Sequence, residues 1–193
     1  MKKILKSGLL SVALLATLGA NAADEVKVIA AAKKVNVSLT KVNKGEKFSI
    51  LDRNGVSLYS EILKKEKNYE KTFDFSNLPE GVYFLESKES EKINVTPVII
   101  TEKEISVIPE GSKIYKAPTF TFDKGIARVT IDNKVEAEVA MYVYDSTGIE
   151  LMATETAKNI VIIRAFDFKE LPSGTYTIVV QEDDYTFTET IDL

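Results

Sequence analysis

Leu78-Pro79-Glu80-Gly81-Val82-Tyr83 and Leu171-Pro172-Ser173-Gly174-Thr175-Tyr176 are one phrase written twice, 93 positions apart. Sliding the chain by that amount lays 48–84 on 141–177 without a gap. Phe48-Ser49-Ile50-Leu51-Asp52-Arg53-Asn54-Gly55 then falls on Met141-Tyr142-Val143-Tyr144-Asp145-Ser146-Thr147-Gly148, and Phe73-Asp74-Phe75 falls on Phe166-Asp167-Phe168. The matched positions are mostly turn or core residue types. A spacing this long predicts two similar domains rather than a solenoid, whose repeats are shorter.

Within each copy the hydrophobic period is two. Val35, Val37 and Leu39 share one face; so do Phe48 and Ile50, Tyr83 and Leu85, Val129 and Ile131, and Tyr176, Ile178 and Val180. Such alternation marks half-buried strands. It predicts strands near 26–30, 34–40, 47–52, 56–63, 69–75, 82–87 and 92–100, with counterparts near 118–122, 126–132, 137–144, 149–156, 160–168, 175–181 and 185–192. Asp52-x-x-Gly55 and Asp145-x-x-Gly148 read as hairpin turns. The Asp side chain can bond backbone two residues on, and Gly accepts a left-handed conformation.

The amino terminus has the order of a secretory signal peptide. Lys2, Lys3 and Lys6 come first, then the apolar run Gly8–Leu18, then Ala20-Asn21-Ala22. The run is shorter than the ~20 apolar residues needed to span a bilayer, and no later stretch is apolar enough. The expected organisation is a signal peptide over 1–22, a β-sandwich over 23–105, a linker over 106–117 carrying Pro109, Glu110 and Gly111, and a second β-sandwich over 118–193. The expected location is outside the cytoplasm: periplasmic, at the cell surface or secreted.

Composition narrows the chemistry. Losing Lys2, Lys3 and Lys6 from 25 basic residues against 29 acidic leaves a net charge of −7, with Lys and Glu interspersed. No basic patch invites nucleic acid. Cysteine is absent, so burial alone must hold each core. Histidine is absent too, which removes imidazole bases and, with cysteine, the usual zinc, copper and haem ligands. No Gly-rich phosphate loop is present. Carboxylate pairs for glycoside hydrolysis would have to come from residues such as Glu86, Glu89, Glu155 or Glu182. The reading is of a protein that is not an enzyme and takes no cofactor or metal; Asp52-Arg53-Asn54-Gly55 lacks the further ligands of a calcium loop.

Leu-Pro-x-Gly-x-Tyr is the most specific local signal. Pro and Gly make a tight corner, and Tyr enters the next strand pointing inward. This resembles the tyrosine corner of immunoglobulin-like sandwiches, in which the hydroxyl ties back to upstream backbone. Leu78, Pro79, Gly81 and Tyr83, with Leu171, Pro172, Gly174 and Tyr176, are the expected structural corners. Asp-x-x-Gly, Phe-Asp-Phe and Leu-Pro-x-Gly-x-Tyr together resemble the immunoglobulin-like modules of secreted Bacteroidetes proteins, including the C-terminal sorting domains of their type IX secretion system. That resemblance implies an all-β fold of two tandem immunoglobulin-like or fibronectin-like antiparallel sandwiches. Sorting domains end in a Lys followed by apolar residues, whereas this chain ends Thr188-Glu189-Thr190-Ile191-Asp192-Leu193. Fold transfers on such a resemblance; function does not follow from it.

One candidate binding face emerges from the alternation. With Met141 and Val143 inward, Tyr142 and Tyr144 point outward beside Thr177 and Val179 on the neighbouring strand. Tyrosines on a sheet face suit a protein or glycan partner at the cell surface; packing against the rest of the chain is the plainer use. The functional expectation is a non-catalytic exported binding or scaffolding protein, with an accessory or C-terminal sorting module of a secretion system as the alternative.

Overall fold

The computed structural model describes residues 14–18, 26–31, 33–40, 42–64 and 68–193. Its first half contains β1 (Leu14–Leu18), β2 (Val26–Ala31), β3 (Lys34–Leu39), β4 (Lys47–Asp52), β5 (Ser57–Ile62), β6 (Tyr69–Asp74), β7 (Gly81–Lys88) and β8 (Lys92–Ile100). The connecting stretch forms β9 (Ile105–Val107), a 3-10 turn at Pro109–Gly111, and β10 (Lys113–Lys116). The second half contains β11 (Thr119–Asp123), β12 (Ile126–Asp132), β13 (Val139–Asp145), β14 (Glu150–Ala153), β15 (Val161–Asp167), β16 (Thr175–Glu182) and β17 (Tyr185–Asp192). The fold is all-β and antiparallel, as the alternation predicts.

The chain divides into two compact units. The first runs to Glu89 and includes Asn94–Lys113; the second is Ser90–Ile93 with Ile114–Leu193. In the first unit one sheet orders β1-β2-β3-β6, and the other runs β8-β7-β4-β5 with β9 also paired to β8. In the second unit the sheets order β11-β12-β15 and β14-β13-β16-β17. Leaving aside β1 and β9, the two topologies are the same.

Each core is built from the inward residues of its two sheets. In the first unit Val28, Val35, Val37, Phe48, Ile50, Phe75, Leu85 and Val98 are buried. In the second, Ala127, Val129, Met141, Val143, Phe168, Ile178 and Ile191 are buried at the places of Val35, Val37, Phe48, Ile50, Phe75, Leu85 and Val98. The repeat extends to irregularities. The pairing of β4 with β5 slips between Ile50 and Leu51, and that of β13 with β14 slips between Val143 and Tyr144, 93 residues on. Asp52 Oδ1 accepts from Asn54 and Val56 amides at 2.8 and 2.9 Å. Asp145 Oδ1 accepts from Thr147 and Ile149 at 2.8 and 3.0 Å. Gly55 and Gly148 follow at φ +77° and +84°, which only glycine adopts without strain.

Three strands lie where alternation gave no signal. β9 and β10 fall in the stretch read as a connection, and three or four residues are too few to show a period. β1 pairs antiparallel with β2, Leu14 opposite Ala30 and Leu18 opposite Val26, inside the stretch expected to be a signal peptide. The basic start and the Ala20–Ala22 cleavage signal lie outside the described residues. Among the described residues no helix is long and apolar enough to cross a membrane.

Both corners close through the hydroxyl. Tyr83 Oη donates to the Pro79 carbonyl at 2.9 Å and Tyr176 Oη to the Pro172 carbonyl at 2.7 Å, with both rings buried. Pro79 and Pro172 are themselves exposed, so water can replace the lost donor and each bond contributes about 0.5–1.5 kcal/mol net. Tyr83→Phe and Tyr176→Phe should therefore each destabilise their own unit by about that amount, read as a lower urea midpoint for one of two transitions. An unchanged midpoint would show that the bond carries no stability.

Candidate functional site

The face expected from sequence forms on the outer side of the β14-β13-β16-β17 sheet. Tyr142 stands opposite Val179 and Tyr144 opposite Thr177, and β17 extends the rows with Thr188 and Thr190. The two tyrosine rings lie 6.2 Å apart at 33°. All four expected residues are half-buried rather than fully exposed. Burial and the nearby Glu150 carboxylate push the Tyr144 hydroxyl pKa up, so the phenol stays protonated and able to donate. In the first unit the same face is closed: Ser49 and Glu86 are buried, and Leu51 and Phe84 half-buried. β7 and β8 are buried on both faces over Leu85–Ser87 and Ile93–Thr96, where alternation predicted one.

Of the four carboxylates weighed for hydrolysis, Glu86 and Glu89 belong to the first unit and Glu155 and Glu182 to the second. Glu86 lies buried on β7, Glu89 Oε2 accepts from Asn43 Nδ2 at 3.0 Å, Glu155 is exposed after β14, and Glu182 ends β16. The turn carboxylates are engaged locally, Asp52 as above. Asp183 accepts from the Glu138 amide and from Tyr115 Oη, both at 2.9 Å. Tyr115, on β10, also packs on Tyr185 with ring centroids 4.6 Å apart.

Two polar arrangements are not apparent from the sequence. In the first unit Lys71 pairs with Glu61 at 3.0 Å. Tyr59 bonds both, and Tyr69 Oη donates to Glu61 at 3.3 Å. The ammonium sits 4.6 Å from the Tyr59 ring centre, within cation–π range. Hydrogen bonds from Tyr59 and Lys71 hold the Glu61 carboxyl below its usual range. The group latches β5 to β6 across the two sheets. The equivalent positions in the second unit are Met152, Thr154, Ile162 and Arg164, so the latch belongs to one copy. Comparing the copies position by position is the signal that finds it.

Glu182 is the second feature. It is 1 % exposed, Oε1 has no hydrogen-bond partner, and burial beside Asp183 pushes its pKa up to about 7. Folding thus favours the protonated carboxyl. Its contribution is complete below the ordinary carboxyl value of 4.5 and is lost as pH rises through about 7. The second unit should lose on the order of 2 kcal/mol across that window, and Glu182→Gln should flatten the dependence. Urea midpoints that are equally pH-sensitive in wild type and variant would contradict this assignment.

Residues 31–102 match the family described as the secretion system C-terminal sorting domain. The first sandwich is similar to a sorting domain. The match covers β3 through β8 and falls on the first copy. No protein of curated function matches the chain. Among solved structures, a biofilm-associated protein BSP domain aligns at 15% identity and TM-score 0.30 over 83% of this chain, which spans 27% of that one. The human OSCAR ligand-binding domain aligns at 9% identity and TM-score 0.26, over 83% of this chain and 89% of that one. Likenesses this distant carry nothing about function.

Proposed function

We propose that this is an exported, non-catalytic protein whose sandwiches serve binding or scaffolding at the cell surface or in the medium. The sorting-domain match over 31–102 supports export, as does the leader-like amino terminus, which we read as removed after Ala22 or Ala23. The observation that carries binding is the outer face of the second unit, where Tyr142 and Tyr144 are packed at 6.2 Å and remain half-open. Aromatic rings held on a rigid sheet give contact area at low entropic cost. The partner class is protein or glycan; nucleic acid is disfavoured by charge.

A second reading, as a sorting module read and removed during export, is favoured by the same family match. Mass spectrometry of the exported protein separates the two. A chain beginning at Ala23 or Asp24 and ending at Leu193 supports scaffolding. Cleavage between the two units supports sorting, and retention of Lys2–Leu18 would refute the leader.

The tyrosine face has its own test. Tyr142→Ser with Tyr144→Ser should reduce partner capture at least tenfold while leaving the second unit folded, read as a retained cooperative urea transition. Undiminished capture would remove this face from consideration.

A further inference from the structure

The two units differ at one seam. In the first, the line where the two sheets meet at β2 and β8 is filled. β9 pairs with the end of β8, with Val107 opposite Val98 and Ile105 opposite Ile100. Ile105 and Val107 are buried in the core. The Ile108 amide then donates to the Pro97 carbonyl at 3.0 Å. Beneath this cover the inward residues of β2, Val28 and Ala30, are 0 % and 5 % exposed.

In the second unit the corresponding line runs between β11 and β17. The residues equivalent to Val98 and Ile100 are Ile191 and Leu193, and those equivalent to Val28 and Ala30 are Phe120 and Phe122. Among the described residues no strand pairs with the outer edge of β17 or of β11. A groove of ≈ 230 Å³ remains, walled by Phe120, Phe122, Ala127, Ile178 and Ile191. The larger rings do not close it, for Phe122 stays 43 % exposed. Leu193 turns its amide inward to the Gly174 carbonyl, so by alternation the amides and carbonyls of Thr190 and Asp192 point out along the groove. Thr190 stands where the first unit has Pro97, and its carbonyl is the counterpart of the one Ile108 uses.

We propose that this groove takes an extended strand from another protein, added antiparallel to the end of β17 and carrying aliphatic residues at alternate positions with a small polar residue between. β9 shows what fits: Ile105-Ser106-Val107. Glu189, in the same register as the inward Ile191, is the charged residue of the β17 wall and favours a strand with a basic residue towards β17. A second copy of this chain is the poorer donor, because its own segment of this kind is buried in its first unit. Strand addition of this type draws affinity from main-chain bonds and specificity from alternate side-chain pockets. The inference rests on the binding reading but puts the partner at the seam rather than on the tyrosine face.

The test is a titration of the full chain with a synthetic peptide of the sequence 102–109, followed by backbone amide shifts. The expected result is saturable change confined to Thr188–Asp192 and Thr119–Asp123. A peptide with aspartate at its two inward aliphatic positions should bind at least tenfold more weakly, as should Phe122→Lys protein whose melting is unchanged. Binding should survive Tyr142→Ser with Tyr144→Ser, which separates this surface from the tyrosine face. No shift at millimolar peptide, equal response to both peptides, or shifts elsewhere would overturn the proposal. So would concentration-dependent shifts at the same amides without peptide and with doubled mass, since a second copy would then be the occupant.

Discussion

Inward-pointing residues on the central strands β4 and β7, and on β13 and β16, must sit opposite one another for either core to exist. Ile50 faces Leu85 and Val143 faces Ile178 across these ladders. A slip of one residue would turn every apolar side chain to the other face. With no disulfide, nothing covalent corrects such a slip. Register is held by the strand patterns, by matched bulges after Ile50 and Val143, and by corners that fix where β7 and β16 begin. Tyr83 and Tyr176 do this by tying the start of a central strand to the carbonyl of the proline before it. The Asp-x-x-Gly hairpins do the same for the β4–β5 and β13–β14 pairs.

On this shared frame the two copies have diverged at their margins. The first unit is closed: Lys71, Glu61 and Tyr59 join its sheets at one seam, β9 fills the other, and the outer face of its larger sheet is buried at Ser49 and Glu86. The second unit has Met152, Thr154, Ile162 and Arg164 in place of the latch, an open groove beside β17, and tyrosines on its larger sheet. Its β15 also presents Val161 and Ile163, each more than half exposed, where the first unit has Asn68 and Glu70. The sorting-domain match lies on the first, closed unit.

Most of the frame was legible because it is written in period-two alternation and turn residues. Val35, Val37 and Leu39 declare their face unaided, and so do Tyr176, Ile178 and Val180. β9 escaped because Ile105-Ser106-Val107 is too short to distinguish from a connection carrying Pro109 and Gly111. Double-sided burial of β7 escaped because Glu86 and Ser87 look solvent-facing. The neighbouring buried Glu46 is held by the nearby Asn43 amide and by the Ser87 hydroxyl, and only folding brings Ser87 there. The expected face at Tyr142, Tyr144, Thr177 and Val179 was readable from alternation alone. The groove was not, because its walls come from β11, β12, β16 and β17 and depend on what fails to cover them.

Native-state hydrogen exchange, resolved by residue, addresses the central contrast between a filled and an open seam. The Ser106 and Ile108 amides of the first unit should exchange as slowly as its core strands. Those of Thr190 and Asp192 should exchange orders of magnitude faster than Ile178 and Val180 beside them. Equal protection at Thr190 and Ile178 would mean that the second seam is covered after all, and the two units would then not differ as described.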